Sequence, residues 1–245
     1  MTAVMVRPGR TVPRSKARAD SAQARRPGRP ARISREAIVR TALEILAHTP
    51  VEVFTLKMLS DRLGTATTAI YKYFDGREAV LTAVADEVCR RFRQPKPAVR
   101  WQQTLLAWLW ALSRHAQRYP VMPWIIGLNG KSPPEWVRMT APVALLLRND
   151  VGLRGRALAT ACHLVTSVSV SLMRMLQAAP EFLRRESLPD LTAMPLQEDQ
   201  RIALNEVQSM LPSLKRKEIL ETAFAGVVGG IEALSQTKYP SAQVN

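Results

Sequence analysis

Acidic residues are scarce in this chain of 245 residues: 20 Asp and Glu stand against 35 Lys and Arg, for a net charge of +15 at neutral pH. Such an imbalance favours polyanionic partners, because each cation set on a phosphate releases condensed counterions, although a merely solubilising surface has the same composition. Cysteine is nearly absent. Cys89 and Cys162 stand far apart among apolar residues, so neither a disulfide framework nor a CxxC metal site is available and a reducing cytoplasm fits. Long apolar runs are missing too. No signal-peptide core follows the basic N-terminus before Arg25, and the longest uncharged stretch, Ala157 to Met173, is short of a membrane span and carries His163 and several hydroxyl residues, so it reads as a buried helix with no membrane partner. Strand-period alternation and internal repeats do not occur. Also lacking are a Gly-rich phosphate loop, a nucleophile elbow and a paired carboxylate motif, and neither His115 nor His163 has Cys, Asp or Glu at metal-ligand spacing. The expectation is a chain that is not an enzyme, with no catalytic residues, no metal and no cofactor.

What is present is organised in three parts. Residues 1–32 hold nine basic residues and one acid, Asp20, among Pro, Ala and Gly; with few apolar residues to bury, they read as a disordered basic arm. Within it, Arg25, Arg26, Arg29 and Arg32 flank a Gly-Arg-Pro centre like that of an AT-hook, suited to a narrow minor groove, or else form a solvated tail attracted to phosphates at large. Residues 33–93 read as a small helical module. Ser34 is placed as an N-cap with Ile33 and Ile38 as a hydrophobic staple; Thr55 caps a second helix with the stripe Leu56, Leu59, Leu63; Asp75 and Glu78 have capping-box spacing before a fourth helix. Residues 94–97, Gln-Pro-Lys-Pro, mark a joint. From 98 to 238 the pattern predicts helices near 100–118, 120–128, 133–149, 154–179, 198–210 and 213–236, with Ser132 capping the third and Pro142 kinking it.

Two short helices make a stable wedge when the residues at their crossing are small and those beneath are apolar. Ser60, Gly64 and Ile70 meet that need, and with Ile70 and Phe74 facing inward, Thr67, Thr68, Tyr71 and Lys72 project from the other side of the second helix. The run Thr55-Leu-Lys-Met-Leu-Ser-Asp-Arg-Leu-Gly64, then Ala69-Ile-Tyr-Lys-Tyr-Phe74 and Gly76-Arg-Glu-Ala-Val-Leu81, resembles the N-terminal signature of TetR-family regulators over residues 33–88. That signature reads as Thr, an apolar helix, Leu-Gly, then Leu-Tyr-x-His/Tyr-Phe and Lys/Arg-Glu. The resemblance implies an all-α chain with an N-terminal three-helix DNA-binding domain, a linking fourth helix, a larger helical ligand-binding and dimerisation domain, and a homodimer gripping a palindromic operator in double-stranded DNA. It places Thr55, Tyr71, Tyr73 and Arg77 on phosphates and Thr67, Thr68 and Lys72 nearest the bases, with core packing as the alternative for the two tyrosines. Ala66 departs from the usual Ser and Thr65 from the usual Val, so Thr65 is expected to cap the recognition helix and to stand with the DNA-binding residues.

All five tryptophans fall within residues 101–136. Trp108, Trp124, Trp136, Met139 and Met173, with His115 or His163 as polar anchors, are expected to enclose a small apolar effector, the alternative being ordinary core. Two helices suit self-association through a four-helix dimer bundle: Leu158, Val165, Val168 and Leu172 in the first, and Phe224, Val227 and Ile231 beside the small residues Gly226 and Gly230 in the last. Intrachain packing is the other use of the same pattern. The leading expectation is a ligand-responsive repressor; a nucleoid-associated architectural protein working through its arm is the alternative, which uniform A·T-rich coverage in a footprint would favour over a discrete palindrome.

Overall fold

The computed structural model describes residues 33–127, 130, 132–182 and 188–236, with only the backbone described for 178–182. Ten α-helices occur among these residues: α1 (Arg35–Leu46), α2 (Leu56–Leu63), α3 (Thr67–Ile70), α4 (Arg77–Arg90), α5 (Trp101–Arg118), α6 (Met122–Ile125), α7 (Pro134–Asn149), α8 (Gly155–Phe182), α9 (Glu198–Met210) and α10 (Arg216–Gln236). The all-α class and the positions of the long helices match the periodic pattern, while the ends differ where the caps do. Ser34 Oγ accepts the Ala37 N–H at 3.1 Å, and Thr55 Oγ1 accepts that of Met58 at 3.2 Å, so both expected N-caps form. Three others do not. Ala66, with no side-chain bond, occupies the N-cap of α3 instead of Thr65. Gly76, at φ +130°, takes the N-cap of α4, so the Asp75–Glu78 capping box is not made. Pro133 rather than Ser132 precedes α7, whose Glu135 N–H is accepted by Asp86 Oδ1 of α4 at 3.1 Å; a partner from another helix has replaced the local cap. The helix expected over 120–128 is only the single turn of α6.

One apolar core runs from Ile38 to Ile231, and α4 is its spine. Val80, Leu81, Val84, Ala85 and Val88 are buried on α4, which packs against α1 on one side and against α6 and α7 on another. The expected joint at 94–97 is therefore bridged. Gln94 Nε2 donates to the Met139 carbonyl at 2.7 Å and His115 Nε2 lies 2.9 Å from the Val88 carbonyl, so the N-terminal module and the body share hydrogen bonds as well as core.

The expected dimer residues divide by burial. Val165, Leu172, Phe224, Val227 and Ile231 are buried within the single chain, because α8 and α10 turn their larger apolar stripes toward each other, α10 also packing on α5 and α8 on α7. Within one chain these side chains are already covered, which leaves little of them for a second copy. Leu158 and Val168 are half-buried against the same core. At Gly230 a Cβ would meet Leu164 Cδ2 at 3.1 Å, whereas Gly226 has open space around it. The outward face of α10 carries small residues in its middle, where Thr222, Ala225, Gly226 and Gly229 are exposed after the exposed Glu218 and Glu221. The segment Gly155–Gln177 of α8 is long and apolar enough to cross a membrane, but Ala157, Ala161, Val165, Leu172 and Met173 are buried against the rest of the chain.

Candidate nucleic-acid interface and effector cavity

The wedge of α2 and α3 is locked by short contacts. Gly64 ends α2 at φ +62°, a conformation that costs any residue with a Cβ. Ser60, buried at the crossing, lies 2.9 Å from Thr67 through their hydroxyls and donates to the Lys57 carbonyl at 2.9 Å. Ile70 and Phe74 are buried beneath. Thr67 therefore turns inward, and its projection from the outer side is corrected: its hydroxyl is held by Ser60. Thr68 and Lys72 are exposed, and Tyr71, at 56% exposure, is a large aromatic standing free in solvent. These three side chains form the outward face of the recognition turn.

Around that face the other candidates have structural partners. The Tyr73 hydroxyl donates to the Ile33 carbonyl at 2.6 Å, and Arg35 Nη1 donates to the Tyr73 carbonyl at 2.9 Å while its guanidinium sits 4.1 Å from the Phe74 ring centroid. Arg77 Nε donates to the Phe54 carbonyl at 2.8 Å, and its Nη2 to that of Val51. Tyr73 and Arg77 thus tie α1, α3 and the Val51–Phe54 turn together, which fixes the orientation of the recognition face. Thr55 is exposed at the start of α2 with its hydroxyl in the cap, and Thr65 is half-buried in the turn. Arg25, Arg26, Arg29 and Arg32 lie outside the described residues.

The residues assigned to an effector pocket scatter. An apolar cavity of about 440 Å³ lies between the 94–97 segment, α5 and α7, lined by Gln94, Pro97, Trp108, Val143, Leu145 and Leu146 among others; Trp108 belongs to it and the other six candidates do not. Trp108 is buried with no hydrogen-bond partner for its Nε1. Trp124 lies at the surface and donates to Gln177 Oε1 at 2.8 Å. His163 is exposed on α8 within reach of the Ser167 hydroxyl, and Trp136, Met139 and Met173 are packed core. His115 is buried, and that burial pushes its imidazole below the usual range. Burial likewise raises the Cys89 thiol to about 12, with Asp86 and Glu135 adding to the effect, so it is no nucleophile at neutral pH. Pro95, Pro97 and Pro142 line the same cavity beside Trp108.

The pattern of bacterial regulatory proteins of the tetR family matches residues 38–84, the stretch that builds α1 to α4. The class C tetracycline repressor of Escherichia coli is 40% identical over 55 residues, 22% of this chain and 25% of that protein, and the class D repressor of the same organism is 31% identical over 78 residues, 31% and 36% of the two chains. The chain spans about a quarter to a third of the length of these curated relatives. In three dimensions the similarity extends further. Apo ActR from Streptomyces coelicolor superposes with a TM-score of 0.65 at 20% identity, covering 84% of this chain and 97% of that one. ActR in complex with actinorhodin gives 0.67 at 20% identity, over 84% and 100%. TetR-Q116A from Acinetobacter baumannii AYE, bound to minocycline, gives 0.63 at 18% identity, over 87% and 100%. Residues 38–84, which build the wedge and most of the helix after it, are thus similar to the DNA-binding part of tetR-family regulators, and the fold of the helical body recurs over nearly the full length of the solved regulators.

Proposed function

We propose that the protein is a cytoplasmic, ligand-responsive transcriptional repressor that binds a palindromic operator as a homodimer. The observation that carries this reading is the outward face of the recognition turn. Tyr71 is 56% exposed and stands beside exposed Thr68 and Lys72, on a backbone fixed by the Ser60–Thr67 and Tyr73–Ile33 contacts. A phenol, a hydroxyl and an ammonium on a rigid helical turn are suited to base edges and phosphates in a major groove. For the dimer, the small-residue face of α10 offers the close approach that a bundle across a two-fold axis needs, and it supersedes the buried stripes as the contact surface. Two copies then present two turns to two half-sites.

The effector reading rests on the cavity beside Trp108. Its volume falls in the range of small-molecule sites, and a ligand acceptor could satisfy the buried indole N–H. ActR and TetR have been solved with actinorhodin and minocycline; we extend to this chain a response to a mostly apolar molecule. The cavity wall is α7 together with the 94–97 segment, which Gln94 and Met139 bond to each other, and Asp86 with Glu135 couples that wall to α4. Filling the cavity moves α4, and with it the wedge. A footprint on the chain's own upstream DNA tests the reading: a protected palindrome supports it, and uniform coverage of A·T-rich DNA overturns it.

A further inference from the structure

We propose that the groove between the C-terminal end of α4 and α5 is a second ligand site, one that takes a small organic anion carrying a planar ring. The groove has a volume of about 840 Å³, again the size of a small-molecule site. Five guanidinium groups line it: Arg90, Arg91 and Arg93 from the end of α4 and the residues after it, and Arg114 and Arg118, one turn apart on α5. Its floor is aromatic. The Phe92 ring stands edge-on to His115 with centroids 5.3 Å apart, and His115 lies 4.9 Å from Tyr119. The guanidiniums of Arg91 and Arg118 each sit 5.8 Å from the Tyr119 centroid.

The charges in this groove are unevenly matched. Arg90 and Arg91 share Glu87 at 2.6 and 2.8 Å, and Arg90 also approaches Glu135 at 3.7 Å. Among the described residues, no carboxylate lies within ion-pair distance of Arg93, Arg114 or Arg118. Three unmatched cations around one concavity repel one another until an anion enters, and the guanidinium fork is shaped to hold a carboxylate or phosphate through two parallel hydrogen bonds. Tyr119 and Phe92 put aromatic surface on the lining, which a ligand's ring can use and inorganic anions cannot. Duplex DNA fits this groove less well. It lies at the far end of the 14-residue α4 from the turn that follows α3, roughly 20 Å along the helix axis, and it is concave.

The site is distinct from the apolar cavity, although α5 and the 92–94 segment border both: Thr104 and Trp108 face the cavity, while Ala111, His115 and Arg118 face the groove. An anion held by Arg91 and Arg93 on one wall and by Arg114 and Arg118 on the other ties the end of α4 to α5. Binding itself does not depend on the repressor reading; a consequence for DNA does.

Calorimetric titration of the full chain at low salt with phenyl phosphate, benzoate and uncharged phenol tests the site. Saturable binding of phenyl phosphate or benzoate, at least tenfold tighter than phenol, is expected, and the tighter of the two identifies the head group. The double variant Arg114→Gln, Arg118→Gln should lose at least tenfold in that affinity with unchanged helicity, and Arg114→Lys, Arg118→Lys should regain part of it. If the double variant loses helicity, Arg93→Gln, outside any helix, takes its place with the same expected loss. Phenol binding as tightly as the anions, or variants that keep full affinity, would overturn the proposal. So would a parent chain that binds neither anion while the arginine variants lose duplex-DNA affinity, which would assign the groove to nucleic acid.

Discussion

At the scale of single residues, the recognition face separates groups that hold the fold from groups free to meet DNA. Tyr71 and Lys72 have no structural duty, so replacing both by Ala should leave thermal unfolding unchanged and weaken operator binding at least tenfold, since each specific base contact is worth about 1–3 kcal/mol. Electrophoretic mobility shifts beside a melting curve check this. Unfolding of the double variant would place Tyr71 in the core, against its 56% exposure. His115 makes a different statement, through pH. Burial lowers its folded-state pKa, so below the unfolded value of about 6.5 the unfolded chain takes up a proton that the folded chain resists. The stability this neutral imidazole contributes is complete above that value and is lost as pH falls through the window below it. The urea midpoint of the native protein should therefore drop between pH 7.5 and 5.5 by more than that of His115→Gln; equal drops would mean that the imidazole protonates freely in the fold.

At the scale of elements, the helices were legible because their stripes of Ile, Leu and Val have a period near 3.6, and Ser34 and Thr55 cap locally as their sequence neighbours require. What the sequence hid was the long-range partner. Asp86 displaces Ser132 at the start of α7, Ser60 draws Thr67 inward, and α8 and α10 use on each other the stripes that also suit a dimer. The arginine groove was hidden for the same reason, since Arg90, Arg91 and Arg93 meet Arg114 and Arg118 only once α4 and α5 are packed. Gly64 gives a local test: a Cβ there meets nothing within 4 Å, so Gly64→Ala should cost only the left-handed backbone, about 1–2 kcal/mol, measured by denaturant unfolding. The two glycines of α10 now predict different outcomes. Gly230→Leu should destabilise the single chain by driving into Leu164, whereas Gly226→Leu, facing open space, should leave the protomer folded and shift sedimentation toward monomer. A Gly226→Leu dimer of normal affinity would place the interface off this face.

At the scale of the whole molecule, the proposed regulation requires a cavity event to reach the recognition turn. The path is short: α7 and the 94–97 segment wall the cavity, α4 is bonded to α7 through Asp86 and is packed on α1, and α1 is stapled to the wedge by Arg35 and Tyr73. A rigid body linked in this way responds to a ligand only through differential affinity. Reversing a 99:1 preference for the DNA-bound conformation requires the effector to bind the other conformation more tightly by about 5.5 kcal/mol. Leu145 offers a way to separate ligand response from DNA binding, because it lines the cavity yet is 57% exposed. A Trp there can fold over the cavity without disturbing packed core. Leu145→Trp should keep the operator affinity of the parent while raising at least tenfold the concentration of apolar ligand needed to release DNA, as read by fluorescence anisotropy of a labelled operator. Loss of operator affinity without ligand would instead mean that filling the cavity mimics the effector, which still ties cavity to wedge. A variant that binds DNA and responds to ligand as the parent does would detach this cavity from regulation and leave the DNA-binding reading standing alone.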